Sequence, residues 1–327
     1  MPLLRNVSVT PLAFESFGVR SMCTYVETPD LKILVDAGIS LGQRFGLLPH
    51  PKEYQALGEC RRRVAEAADK AAIVTISHWH FDHYTPNYMD TVWNGSGTEV
   101  AKQIYQDKII LAKDIRRSIN FSQRRRGWIF LKFAEKIAKR IEMADGKVFE
   151  FGGTKLKFSK PVFHGEEDTA LGWVLMLSIE YDGERVAYAP DVQGPIFDET
   201  LKLILRETPV LIIMGGPPLY LAGFKISVEK INHSLENLLK VAEDVPVMIL
   251  DHHLLRAENW RVFSKPVYRR AKKLGHKVLT AAEYMGKQNN LIEFNRGKLY
   301  KTEPPSESFL KWARLPRTKQ RQMSPPI

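Results

Sequence analysis

Ile73-Val74-Thr75-Ile76-Ser77-His78-Trp79-His80-Phe81-Asp82-His83 is the stretch on which the reading of this chain turns. Its first four residues are all β-branched, the pattern of a short strand buried on both faces. A loop leaving such a strand can aim alternate side chains at one point. His78 and His80, two apart, face the same way, while the adjacent Asp82 and His83 diverge toward a second point. Three imidazoles and one carboxylate within six residues are nitrogen and oxygen donors suited to zinc and its neighbours. Trp79 and Phe81 alternate with them and are expected to pack behind the loop and hold it. The spacing suits two metal ions bound side by side.

Upstream, residues 7–9, 23–27 and 32–35 read as strands, the last two joined through Thr28-Pro29-Asp30 as a hairpin. The third leads into Asp36-Ala37-Gly38, and a helix is predicted over 59–71. Residues 87 to about 146 are rich in Lys and Arg and read as a basic helical insertion. Within it Ile129, Phe133, Ile137 and Ile141 recur every four residues, with Gly146 as the stop. Strands resume over 155–163, 172–181, 185–189 and 210–214. A helix capped by Ser227 is predicted through Glu243, strand 247–250 delivers Asp251-His252-His253, and a last helix spans 263–274. Two groups of strands separated by helices imply an α/β sandwich with mixed sheets rather than a simple βαβ alternation.

The 327 residues are 44% hydrophobic and 26% charged, the balance of a globular chain. The expected organisation is one domain over 1–302, including the insertion, followed by a basic, Pro-containing tail over 303–327 that ends loosely ordered. No apolar run approaches the roughly 18 residues of a membrane span, and the first residues lack the pattern of a signal peptide. Cys23 and Cys60 form no disulfide framework and read as small core residues, so a reducing cytoplasm is expected. A net charge of +11 favours anionic ligands.

The loop at 78–83 resembles the His-x-His-x-Asp-His signature of the metallo-β-lactamase superfamily, and the resemblance continues in order along the chain. Asp36, His164 in Pro-Val-Phe-His-Gly, Asp191 in Ala-Tyr-Ala-Pro-Asp, and Asp251-His252-His253 stand where that superfamily's other motifs fall. Residues 188–195, 214–218 and 251–256 resemble more closely the archaeal UPF0282 group of metal-dependent hydrolases. The resemblance implies an αβ/βα four-layer sandwich, two mixed sheets flanked by helices, with the metals at one edge. It implies that His78, His80 and His164 hold one metal, that Asp82, His83 and His252 hold the other, and that Asp191 bridges them. Asp36 would orient the ligand loop through hydrogen bonds. The residues themselves leave His252 and His253 open. The resemblance favours His252, which directly follows the strand.

Two neighbouring divalent ions, zinc first and manganese or iron as alternatives, would lower the pKa of a shared water and stabilise developing negative charge. Asp82 would accept or relay a proton. The expected activity is hydrolysis of an ester, lactone or phosphoester in a small, including anionic, molecule. Two alternatives stand beside it. One is a metal-dependent nuclease that holds nucleic acid on Arg116-Arg117, Arg124-Arg125-Arg126 and Trp128, a segment otherwise read as the solvated face of a helix. The other is a non-hydrolytic metal-binding module.

Overall fold

Residues 4–44 and 46–327 are described by the computed structural model of the chain. The first sheet contains β1 (Ser8–Phe14), β2 (Met22–Glu27), β3 (Lys32–Val35), β4 (Ile73–Ile76), β5 (Ile109–Ala112) and β6 (Arg140–Met143) in that order. β1, β2 and β3 are antiparallel neighbours; β3 through β6 run parallel. After it come β7 (Val148–Phe151), β8 (Thr154–Phe158), β9 (Val162–Phe163), β10 (Trp173–Val174), β11 (Leu177–Tyr181), β12 (Glu184–Ala189), β13 (Leu211–Gly215), β14 (Val247–Asp251) and β15 (Lys277–Leu279). All but the small β9–β10 pair form a second sheet, ordered β15-β14-β13-β12-β11-β8-β7. Its β12 to β15 are parallel and its β12, β11, β8 and β7 antiparallel.

Strand alternation explains the layers. On β13, Leu211 and Ile213 join the core that also holds Ile33 and Val35 of the first sheet, while Ile212 and Met214 face a separate core. On β14, Val247 and Ile249 take the first side, and Met248 and Leu250 the second. This two-residue period puts one face against the partner sheet and the other against helices. The helices are α1 (Pro51–Ala68), α2 (Thr98–Tyr105), α3 (Phe121–Ala134), α4 (Asp198–Arg206), α5 (Val228–Asp244), α6 (Trp260–Lys273), α7 (Ala281–Tyr284), α8 (Ile292–Thr302), α9 (Glu307–Ala313) and α10 (Arg317–Gln320). Residues of α4, α5 and α6 pack on the second core, and residues of α1 on the first. The architecture is the αβ/βα sandwich expected from the sequence.

The basic segment between 87 and 146 supplies helices α2 and α3, and also two strands the sequence reading missed. The helix expected to run through Ile141 stops at Ala134, because residues 140–143 pair with β5 as a sheet strand. Pairing outweighs the four-residue period; Phe133, Ile137 and Ile141 still pack on the core, but from a helix, a turn and a strand. The C-terminal segment is also more structured than expected. Phe309 and Trp312 of α9 are buried, both rings lying against Tyr54 of α1, and Gln320 is sequestered beside them. Cys23 and Cys60 are buried free thiols. Among the described residues, no helix is long and apolar enough to cross a membrane.

Candidate metal centre

Parallel strands of both sheets, and β9 of the small antiparallel pair, end at one edge, where the chain leaves them to form the site. β3 ends before Asp36, β4 before Ser77-His78, β9 before His164, β12 before Pro190-Asp191, and β14 before His252. Asp191 lies in the middle. Its Oδ2 is 3.3 Å from His78 Nε2, 3.3 Å from His83 Nε2 and 2.8 Å from His164 Nε2. Its Oδ1 is 3.1 Å from His252 Nε2, which lies 3.7 Å from Asp82 Oδ2. Two donor groups follow: His78, His80, His164 and Asp191 converge within 4.8 Å, and so do Asp82, His83 and His252. Thus the structure gathers every ligand candidate singled out in the sequence. His253 is gathered as well, its Nδ1 3.9 Å from Asp191 Oδ1, farther than His252.

Asp36 is buried beneath the loop and ties it down. Its Oδ1 accepts from the Ser77 backbone N–H at 2.7 Å. Its Oδ2 accepts from Ser77 Oγ, from the Tyr188 hydroxyl at 3.0 Å, and from His83 Nδ1 at 2.8 Å. Because Ser77 gives its proton to Asp36, its oxygen is left to accept from His78 Nδ1, 2.9 Å away. One carboxylate therefore places the proton of both His78 and His83 on Nδ1 and leaves both Nε2 lone pairs facing the site. Gly38 allows this closeness: a Cβ there would lie 2.2 Å from Tyr84 N and 2.3 Å from His83 N. Trp79 is fully buried, donating from Nε1 to Lys113 O at 3.1 Å and packing on Tyr84 and Phe130, as expected of a residue behind the loop.

The donor atoms fit divalent cations. His78 Nε2, His83 Nε2, His252 Nε2, His253 Nδ1 and Asp191 Oδ1 are buried without a hydrogen-bond partner. Orphaned buried polar atoms cost about 1–3 kcal/mol each, and ligation would offset that. Burial pushes the His78 ring down to about 4 and puts His80 and His253 well below the ordinary imidazole value, so their lone pairs are free at neutral pH. Burial opposes charge on Asp191 and Asp82, but the imidazoles around them, His83 foremost, overcome it and hold both carboxyls ionised. Burial likewise resists a proton on His83, and the Asp191 and Asp36 carboxylates outweigh it. A site that draws protons this way draws cations.

Comparison with known proteins bears on the whole chain. The Beta-lactamase superfamily domain profile matches residues 32–250. A UPF0282 protein of Methanopyrus kandleri is 44% identical over 89% of this chain and 98% of its own. One from Methanocaldococcus jannaschii is 41% identical over 93% and 100%, respectively. The chain belongs to the UPF0282 family of the metallo-β-lactamase superfamily. In this UPF0282 protein, fold and clustered ligands together support metal-dependent hydrolysis.

Several supporting residues carry no sequence signal of their own. Gln193 places its side-chain amide 3.5 Å from His164 Nδ1. The amide atom that lies there is Nε2; the opposite amide orientation would let Oε1, otherwise buried without a partner, accept from Nδ1–H and leave His164 Nε2 free toward Asp191. Asp251 accepts from the backbone N–H of Ser16, His252 and Ala281, anchoring the end of β14. Glu15 pairs with Arg256 at 2.8 Å and lies 3.6 Å from His252 Nδ1. These partners are up to 241 residues apart in the chain, so spacing cannot reveal them. Gly215 gives room to Asp191: a Cβ would meet Asp191 N at 3.1 Å. The remaining histidines lie outside: His50 caps α1, His233 pairs with Asp198, and His276 bonds to Ala242 O.

Proposed function

We propose that this UPF0282 protein is a dinuclear metal hydrolase acting on an ester, lactone or phosphoester. The observation that supports it is the convergence of buried, unpartnered imidazole nitrogens from separate chain segments on the two oxygens of Asp191. His78, His80 and His164 would hold one ion, and Asp82, His83 and His252 the other, with Asp191 shared. His252 is preferred over His253 because its ring nitrogen is nearer both carboxylates of the site. Imidazole-rich ligation makes zinc the first choice of metal. A bound pair of such ions supplies a nucleophile from water near neutral pH and stabilises negative charge developing on the group attacked.

The chain's own contribution is positioning and proton handling. Asp36 and Ser77 hold the tautomers of the His78 and His83 rings. The Asp82 side chain, less enclosed than those of Asp191 and His252, would take up a proton during the reaction. The test is metal analysis of the purified protein, then a panel of esters, lactones, phosphomonoesters and phosphodiesters with and without chelator. About two ions per chain are expected, and turnover that chelation abolishes and added metal restores. An Asp191→Ala protein should lose both. Metal-loaded protein inert on every class would favour a non-hydrolytic module, and turnover insensitive to chelation would end the proposal.

A further inference from the structure

Helix α3 has two faces in different environments. Its inner face, with Gln123, Gly127, Phe130 and Leu131 buried, braces the metal loop. Gln123 Oε1 accepts from Trp79 N at 3.3 Å, and Arg126 Nη1 donates to Trp79 O at 3.1 Å. The outer face is unlike an ordinary solvated helix surface. Phe121 is 81% exposed and Trp128 50% exposed. Together with Ile115, Arg116, Arg124 and Arg125 they line an open groove of about 580 Å³. Among the described residues no carboxylate lines it. Arg116 is held by Asp114 at 2.9 Å, but neither the Arg124 nor the Arg125 guanidinium has an ion-pair or hydrogen-bond partner among the described residues. α3 itself contains no acidic residue, and Lys132 adds a further cation 3.8 Å from the centre of the Trp128 ring.

We propose that this groove binds single-stranded nucleic acid, with bases stacked on Phe121 and Trp128 and phosphates on Arg124 and Arg125. Outward rings interleaved with unpaired guanidiniums match what a single strand presents, π-faces alternating with phosphates. A duplex hides its base faces and would leave the rings unused. A membrane is the competing partner for exposed rings beside cations, and three arginines in so small a groove favour closely spaced phosphates over an apolar bilayer interior. The net charge of +11 has the sign needed for a polyanion. The inference does not depend on the hydrolase reading, since the groove's residues are not those of the metal centre.

The experiment is fluorescence anisotropy of the full chain with labelled oligouridylate of about 12 nucleotides, within the span such grooves cover. A chelator is present throughout, so binding is read whether or not the protein hydrolyses anything. Binding should weaken with salt, and an Arg124→Ala/Arg125→Ala protein should lose about 1.4 from the log–log salt slope. Phe121→Ala and Trp128→Ala, at exposed positions, should each weaken binding by about fivefold or more. An Arg269→Ala/Lys272→Ala protein removes the same charge from the exposed side of α6 and should bind as the parent does. Equal loss in that control would reduce the effect to diffuse charge and overturn the proposal. So would failure of the parent to bind, tighter binding of the matched duplex, or capture by phosphatidylserine vesicles that the aromatic variants lose.

Discussion

Replacing Asp36 with Asn tests how the metal centre is set up, because the amide differs from the carboxylate by one donor in place of one acceptor. The Ser77 backbone N–H, 2.7 Å from Oδ1, cannot accept, so the Asn oxygen must stay there. The new NH₂ then occupies the place of Oδ2, where three donors converge: Ser77 Oγ, Tyr188 OH and His83 Nδ1. Tyr188 can turn its proton to Met22 O, 3.3 Å away. Ser77 can accept from the amide, but its proton then points at His78 Nδ1. His83 must likewise present a bare Nδ1. Both rings carry their proton on Nε2, the atom turned toward Asp191, and neither can ligate without a tautomer change. Lost outer partners of this kind reduce metal affinity by about 10- to 100-fold, or about 1.4–2.7 kcal/mol per ion. His78 and His83 belong to different donor groups, so both ions should weaken. The assay is zinc titration of the apoprotein against a chromophoric chelator, with imidazole ¹⁵N spectra reporting the tautomers. Tyr188→Phe removes one donor from Asp36 without reversing any ring, and should bind zinc nearly as the parent does. An Asp36→Asn protein with parental zinc affinity and parental ¹⁵N shifts would refute the reasoning.

Three further outcomes follow from buried contacts. Glu53 and Arg296 form a fully buried pair at 2.7 Å; Glu53→Gln strands the guanidinium and should cost about 3–5 kcal/mol in urea unfolding, much of which a Glu53→Gln/Arg296→Met double variant should restore. Gly38→Ala drives a Cβ into the backbone of the His83 loop, so zinc uptake should fall even in protein whose circular dichroism is unchanged. Burial opposes ionisation of Glu293, but Arg20 foremost, then Arg256 and Arg296, overcome it and bring the pKa from 4.5 to about 2. A depressed acid stabilises the fold fully above its unfolded value near 4.5 and progressively less as pH falls toward 2. The effect is about 3 kcal/mol, and thermal melts between pH 6 and 3 should show Glu293→Gln losing less stability on acidification than the parent.

What was legible in sequence was local. The four β-branched residues of β4 and the alternating ligands after them lie within one short stretch, so periodicity alone places them. β3, β12, β13 and β14 carry similarly plain apolar runs, and each leads directly to a site residue or its neighbour. β5 and β6 were missed because what makes them strands is pairing with β4 and with each other, contacts invisible to a window along the chain. The packing of the C-terminal segment was missed for a related reason: only the distant α1 gives Phe309 and Trp312 a place to be buried.

The choice between His252 and His253 shows a different kind of illegibility. Nine non-glycine residues have positive φ among those described, and four of them are in the metal centre: Asp36 at 49°, Asp191 at 48°, Gln193 at 57° and His252 at 65°. A left-handed conformation costs a non-glycine residue on the order of 1–3 kcal/mol and persists only where surroundings over-determine it. Three of the four stand within three residues of the end of a parallel strand, and His252 directly follows one. There the rigid sheet fixes one side and hydrogen bonds fix the other, donated by Ser77 and Tyr188 to Asp36 and by the His252 backbone N–H to Asp251. The turn at His252 aims its Nε2 at Asp191, whereas His253 continues the turn and comes less close. A glycine at these positions would have advertised the backbone in the sequence. An aspartate, glutamine or histidine hides it, because the same residue must both bend the chain and supply the side chain that the bend delivers.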